Sequence, residues 1–440
     1  MDKLLLLVLS FLLFQSPLEA QTARDEIRNN VCLSASNYLA YPGPSQKKLT
    51  PAPKGYSPFY ISHYGRHGSR YLISPDDYDV PVRVLARADS LGKLTPLGKD
   101  VLRRVTMLRD EAAGRLGELT ELGAEQHRQI ARRMYERFPE VFKGNVVVDA
   151  KSTVVIRCIL SMENEMQQLL LMNPKLTIKH DASMHDMYYM NQSDPALYAQ
   201  KMPRRAEVMW KEYCSRRVNP ERLMLSLFSD SDYVKYEVDA SDLNYKLFSL
   251  ASNLQSSELR HKITLYDIFT DDELYANWQM ENTWWYINYG ACPLNGVTQP
   301  FSQRNLLRNI IHQADSCIAL DRPGATLRFG HETMVLPLTC LLGINGYDSQ
   351  ISSLDSLESK GWINYKVFPM GANIQLVFYR RSRNDKDVLV KVLLNENEAT
   401  LPVKTDCAPY YRWSDFKKYY LDKLDTYKNY LKSATKSPAG

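Results

Sequence analysis

The chain holds 440 residues with a formal net charge of +5, 44% of them hydrophobic and 24% charged. This is the composition of an ordinary globular protein of two or three domains, and it excludes disordered, collagen-like, coiled-coil and membrane-embedded classes. Acidic and basic residues interleave along the chain without the aromatic-basic alternation of single-strand binders, so nucleic acid is not an expected partner.

Residues 4–14 are apolar except for Ser10, follow Lys3 and lead into Ser16-Pro17-Leu18-Glu19-Ala20. They read as a signal peptide over 1–20, cleaved after Ala20 and too short to span a bilayer, which needs about 20 apolar residues. The protein is therefore expected to be exported, periplasmic or secreted, with no membrane span. All seven cysteines lie beyond residue 20 with no C-x-x-C spacing. Export permits disulfides, the odd count leaves at least one free thiol, and the sequence fixes no pairing.

Residues 21–58 read as irregular, broken by Pro42, Pro44, Pro51, Pro53 and Pro58. A short strand is expected over Phe59–Tyr64. Helices follow over Val82–Leu91, over Pro96–Leu116 with Thr95 as N-cap, and over Glu121–Phe138 capped by Thr120. Asn145–Ala150 reads as a buried strand, and Ser152 as the cap of a helix running to about Leu171. The stretch 183–300 is mainly helical, with patterns at Arg205–Arg217, Glu221–Phe228, Asp242–Leu254 and Glu273–Tyr289. Strand–helix alternation then resumes. Phe301–Leu320 is a helix, Ala325–Phe329 a strand, and Thr333–Leu342 an apolar helix closed by Gly343. Ile374–Arg380 and Val388–Leu394 are strands, and Trp413–Leu431 is a terminal amphipathic helix. The expected architecture is an α/β core made from 21–182 and 301–440, with an α-helical cap domain inserted at 183–300. Ligands of such sheets bind beyond the carboxyl ends of strands, which directs attention to the loops after Tyr64, Ala150 and Phe329.

The first loop reads Arg66-His67-Gly68-Ser69-Arg70, a match expected by chance with odds on the order of one in a thousand. Two guanidiniums flanking an imidazole are costly without an anion, and arginine forks match phosphate oxygens. Gly68 lets the backbone turn and keeps bulk away from a ligand. Two other readings compete: a surface loop with unrelated charges, and a metal held by His63 and His67. The spacing of four suits a helix, which Gly65, Gly68 and the preceding strand oppose, and neighbouring arginines repel a cation. The second loop supplies Arg157 near a helix N-terminus, where anions are favoured. The third offers His331-Glu332, an imidazole beside a carboxylate suited to acid–base work.

These residues, with Leu119-Thr-Glu-Leu-Gly-Ala-Glu-Gln-His127 and Arg137-Phe138-Pro139, resemble the histidine phosphatase superfamily in its acid phosphatase and phytase branch. Tyr71 and the exported character are similar to bacterial multiple inositol-polyphosphate phosphatases, the histidine phytases. Two departures stand out: Leu72 replaces a common proline, and His331-Glu332-Thr333 replaces the usual His-Asp or His-Ala-Glu. The resemblance implies a mixed, mostly parallel sheet flanked by helices, a phosphoglycerate mutase-like core. It implies that His67 is the nucleophile and forms a phosphohistidine, that Arg66, Arg70, Arg157 and His331 bind the phosphate, and that Glu332 is the proton donor. No metal and no organic cofactor is implied. The expected partner is a small-molecule substrate, an inositol polyphosphate such as phytate, and the chain is expected to be a monomer. The alternatives are a broad-specificity histidine acid phosphatase and a non-catalytic phosphate-ester binding protein. Cap cations that could add specificity are Lys201, Arg204, Arg205 and Lys211, each with an ordinary surface role as the competing reading.

Overall fold

A computed structural model describes residues 22–42 and 45–427 of the chain. The signal-peptide reading, over 1–20, lies outside the described residues. So does the end of the terminal helix, which is described over Trp413–Asp425.

Among the described residues eight strands form one sheet: β1 Ser57–Arg66, β2 Val147–Ser152, β3 Thr177–Asp181, β4 Gly324–Gly330, β5 Asn373–Arg380, β6 Leu389–Leu394, β7 Asn397–Glu398 and β8 Tyr410–Arg412. Their order is β3-β2-β4-β1-β5-β6-β7, with β8 on β6. The first four run parallel, and β5 adds an antiparallel half. The α/β class inferred from the sequence is correct.

Alternation along β1 explains how the sheet is sandwiched. Tyr60 and Tyr64 join one apolar cluster with the helices Arg304–Ala319, Glu332–Leu342 and Trp413–Asp425. Ile61, on the other face, packs with the helices Glu121–Arg137 and Ile156–Met172. A fully buried aliphatic side chain such as Ile61 contributes about 1.5–3 kcal/mol of transfer free energy.

A third apolar cluster makes the helical side. Leu223, Leu247 and Trp278 from the 183–300 stretch pack there with Leu85, Val101, Ala23 and Ile27. The helices Asp76–Ser90 and Pro96–Ala112, which precede residue 183, thus belong to the same packing unit.

Several local expectations need correction. Residues 21–58 are not irregular throughout: Ala23–Asn29 is a helix capped by Thr22, and Val31–Tyr38 is a 3-10 stretch. Ser152 is not a helix cap. It ends β2 opposite Phe329, and its hydroxyl donates to the Thr153 carbonyl. The helix begins at Ile156, which puts Arg157 in its first turn. The caps at Thr95 and Thr120 stand as expected, accepting from Gly98 N and Gly123 N.

Candidate active site

The register of the parallel strands assembles the site. Arg66 pairs with Gly330 and Ser152 with Phe329, so the loops carrying His67, Arg157 and His331 leave the sheet at one edge. His67 N donates to the Gly330 carbonyl at 2.9 Å. Ligand atoms of His67, His331 and Glu332 lie within 4.8 Å of one another.

The motif loop is fixed by the Glu121–Arg137 helix. A Cβ on Gly68 would come within 2.3 Å of Gly123 O, and one on Gly123 within 2.2 Å of Ser69 O. Two glycines therefore allow backbone contact that no other residue permits. Ser69 O accepts from Thr120 N at 2.9 Å, Ser69 N donates to Gln126 Oε1 at 2.8 Å, and Gly68 N donates to Ser161 Oγ at 3.2 Å. The Leu119–His127 segment thus has a structural job, which is to clamp the loop. Its last residue, His127, is buried against Glu165 at 2.7 Å.

The cations are also held. Arg66 is wholly buried, with Nη1 donating to the Asn37 and Phe368 carbonyls at 2.5 and 2.8 Å. Its Nε lies 2.9 Å from Glu332 Oε2, an ion pair not aligned as a hydrogen bond. Arg70 donates to the Tyr71 carbonyl and packs over the Tyr38 ring. Arg157 Nη1 donates to Gly117 O at 3.3 Å. Arg66 Nη2, Arg70 Nε and Arg157 Nε are buried donors with no acceptor among the described residues. Unsatisfied buried donors are expensive, so the set is built for an anion with several oxygens.

His67 Nδ1 lies 2.9 Å from the Gly68 carbonyl. A carbonyl only accepts, so Nδ1 carries the proton and Nε2 the lone pair. Burial first, then Arg66, Arg70, Arg157 and His331, push the imidazole well below its ordinary range. His67 is therefore neutral, with its free Nε2 turned toward Glu332 Oε2 at 3.7 Å. His331 is likewise lowered, to about 4, mainly by burial. For Glu332 burial raises the carboxyl, but Arg66, Arg70 and His331 outweigh it and hold it at about 2. Cys158 beside His331 is pushed up to about 12 by burial, so its thiol stays protonated and unreactive. Every one of the seven cysteines is unpaired.

Arg66, His67, Arg70, Arg157, His331 and Glu332, all nominated from the sequence, share this one site. His63 does not join it: neither ring nitrogen has a partner among the described residues, and burial first lowers it to about 3. The donors His67, His331 and Glu332 would by themselves suit a metal ion, but three guanidiniums around them oppose a cation. Sequence reasoning missed Asn37, Phe368, Ser161 and Thr153, which hold the site through backbone carbonyls or hydroxyls, the Thr153 hydroxyl lying 3.3 Å from His331 Nε2. Such contacts leave no motif. A 380 Å³ cavity lined by Asn37, Tyr38, Trp210, Tyr245, Met280, Glu281, Trp284 and Trp285 shares Asn37 and Tyr38 with the arginine cluster.

A site of buried guanidiniums around a neutral imidazole, at the carboxyl ends of parallel strands, marks a phosphate-handling α/β protein. The model of the histidine phosphatase superfamily (branch 2) matches residues 66–395, and the chain belongs to that family. Solved structures agree on the fold. The multiple inositol polyphosphate phosphatase of Bifidobacterium longum, in complex with inositol hexasulfate, is 18% identical with a TM-score of 0.69, over 88% of this chain and 97% of that one. The phytase from D. castellii is 14% identical with a TM-score of 0.68, over 92% and 88%. The Hafnia alvei phytase in complex with tartrate is 14% identical with a TM-score of 0.52, over 84% and 98%. No curated protein matches the chain.

Proposed function

We propose that this protein is an exported phosphomonoesterase that removes phosphates from inositol polyphosphates, phytate among them, through a phosphohistidine. The observation that carries this reading is His67: a neutral imidazole, with its tautomer set by Gly68 O, among the buried Arg66 and Arg70 and the half-buried Arg157. Its Nε2 lone pair attacks phosphorus, the P–N bond forms and the ester P–O bond breaks, which splits hydrolysis into two displacements. Arg66, Arg70, Arg157 and His331 stabilise the charge spread over the three non-bridging oxygens.

Glu332 protonates the leaving alkoxide and then takes a proton from the water that cleaves the phosphoenzyme. In the unliganded site it is ionised and paired with Arg66. An arriving phosphate dianion competes for that arginine and raises the carboxyl, so substrate itself makes Glu332 a proton donor. No metal is required: rates should be unchanged by EDTA. The apolar run at 4–14 supports export, and described residues contain no helix long and apolar enough to cross a membrane.

Inositol polyphosphates as substrate are supported by the resemblance to proteins named for them. One observation favours a second reading, a broad acid phosphatase. The cavity beside Arg66 and Arg70 is aromatic, and its one carboxyl, Glu281, is pushed by burial up to about 7. Such a wall suits an uncharged or aromatic leaving group. Product analysis on phytate and on p-nitrophenyl phosphate with purified protein separates the two: sequential loss of several phosphates from phytate supports the first. Fast turnover of simple monoesters with no action on phytate establishes the second.

A further inference from the structure

The 380 Å³ cavity beside the arginines is lined by the rings of Tyr38, Trp210, Tyr245, Trp284 and Trp285 and by Glu281. Four elements converge on it. The helix Asp271–Tyr289 carries Glu281 and, one turn on, Trp284 and Trp285, which its period puts on one side. Tyr245 comes from the helix Ala240–Asn253, Trp210 from the helix Arg204–Ser215, and Tyr38 from the end of the 3-10 stretch. The indoles are held in place. Trp210 Nε1 donates to the Met280 carbonyl at 3.3 Å, and the Trp284 and Trp285 rings meet edge to face with centres 5.1 Å apart.

This wall is in contact with the phosphate-binding arginines. The carbonyl of Asn37, itself a lining residue, accepts from Arg66 Nη1 at 2.5 Å. The Arg70 guanidinium carbon lies 5.6 Å from the centre of the Tyr38 ring. Trp285 packs on Phe368 at 4.8 Å, and the Phe368 carbonyl also holds Arg66. The cavity is thus the space next to Arg66 and Arg70 on the helical side. Its carboxylate has no cation: among the described residues no lysine, arginine or histidine acts on Glu281. The Tyr245 hydroxyl lies against it, and the Trp285 indole N–H lies near it without an aligned hydrogen bond. Burial raises Glu281 to about 7, and a cation entering the cavity would return it to the ionised form.

We propose that this cavity is an aromatic cage for a trimethylammonium group, so that the protein also cleaves a zwitterionic phosphomonoester of the phosphocholine type. The inference rests on the phosphomonoesterase reading of the arginine cluster and adds a substrate class to it. Ring faces attract a quaternary ammonium, which has no N–H to satisfy, and an unpaired carboxylate among them supplies the opposite charge. The anionic groups of an inositol polyphosphate have no partner there, so the cage serves a different ester. With phosphate among the arginines and ammonium in the cage, the linker of the ester passes Asn37 and Tyr38. His67 Nε2 takes the phosphoryl group, the P–O bond to the alcohol breaks, Glu332 supplies the alcohol's proton, and water then releases inorganic phosphate.

The test compares phosphocholine with 3,3-dimethylbutyl phosphate, which has the same shape and no positive charge. The readout is the ratio of kcat/KM for the two esters within each protein, which cancels any loss common to both. Glu281→Gln should lower this ratio about tenfold and Trp284→Leu about threefold. Phosphocholine should also be preferred to phosphoethanolamine by the wild type, since the primary ammonium gives up more hydration to enter a ring-lined cavity. A ratio unchanged by Glu281→Gln, or a wild type that prefers phosphoethanolamine, would overturn the cage. Hydrolysis of phytate or p-nitrophenyl phosphate but not of phosphocholine means that the cage fails and the phosphomonoesterase stands. If no ester is hydrolysed, the phosphomonoesterase fails, and calorimetry of phosphocholine decides the cage. Binding about tenfold weaker to Glu281→Gln than to the wild type supports it, and equal or absent binding overturns it.

Discussion

The cations at the ends of the parallel strands and the cation on the helical side are held by opposite means. Arg66 is wholly buried, tied to two carbonyls and ion-paired with Glu332, and its loop is pressed against Gly123 with no room for a methyl group. Lys201 rests on two aromatic rings, and among the described residues no acid pairs with it. The rigidity of Arg66 follows from what it must do. A phosphorus atom under in-line attack needs donors placed to within a fraction of an ångström, and rigidity supplies that placement.

The largest expected effect lies in the rigid region. His67→Ala should reduce hydrolysis by about 10,000-fold or more on any substrate, with an unchanged circular dichroism spectrum. Retention of more than a few per cent of activity would remove His67 as nucleophile. Next comes Glu332→Gln, which keeps shape but cannot deliver a proton. It should slow alkyl phosphates by about 100- to 10,000-fold and p-nitrophenyl phosphate, with its good leaving group, by less than about tenfold. Equal losses on both would make Glu332 a partner of Arg66 rather than the acid.

Gly123→Ala probes the clamp without touching a charged group. The added methyl must displace the Ser69 backbone, so activity should fall about 100-fold through misplacement of Arg70 and His67, with a lower melting temperature. Wild-type activity in this variant would show that the loop does not need its close approach to the helix.

The smallest effect concerns His63, buried and without a partner among the described residues. Its ordinary value is 6.5 and the folded protein holds it at about 3. Below pH 6.5 the unfolded chain takes up a proton that the folded chain refuses until about pH 3, so stability falls as pH falls through that window. His63→Leu removes this share, and its urea midpoint should fall less between pH 7 and pH 5 than that of the wild type. An equal slope would mean that His63 does not contribute, leaving His67 and His331 as the source.

How much was legible follows the same division. Contiguous motifs gave the six site residues, because strand ends and glycine turns are written locally. The caps at Thr95 and Thr120 were readable for the same reason. The helix Ala23–Asn29 and the Val31–Tyr38 stretch were not, because distant contacts hold them: Ala23 N donates to Glu358 and Asn37 O accepts from Arg66. Strand β3, Thr-Ile-Lys-His-Asp, is an exposed edge with no apolar alternation to betray it. Of the two rings that set Lys201 apart from Arg204 and Arg205, Tyr198 is near in the sequence but the nearer ring in space, Tyr289, is far along the chain.

The central claim is most directly tested by quenching the wild-type protein in alkaline denaturant during turnover of phosphate-labelled phytate, since phosphohistidine survives alkali. The account predicts up to one label per active site, on the peptide containing His67 and absent from His67→Ala. Phosphate release with no trapped label, or label on another residue, would contradict it.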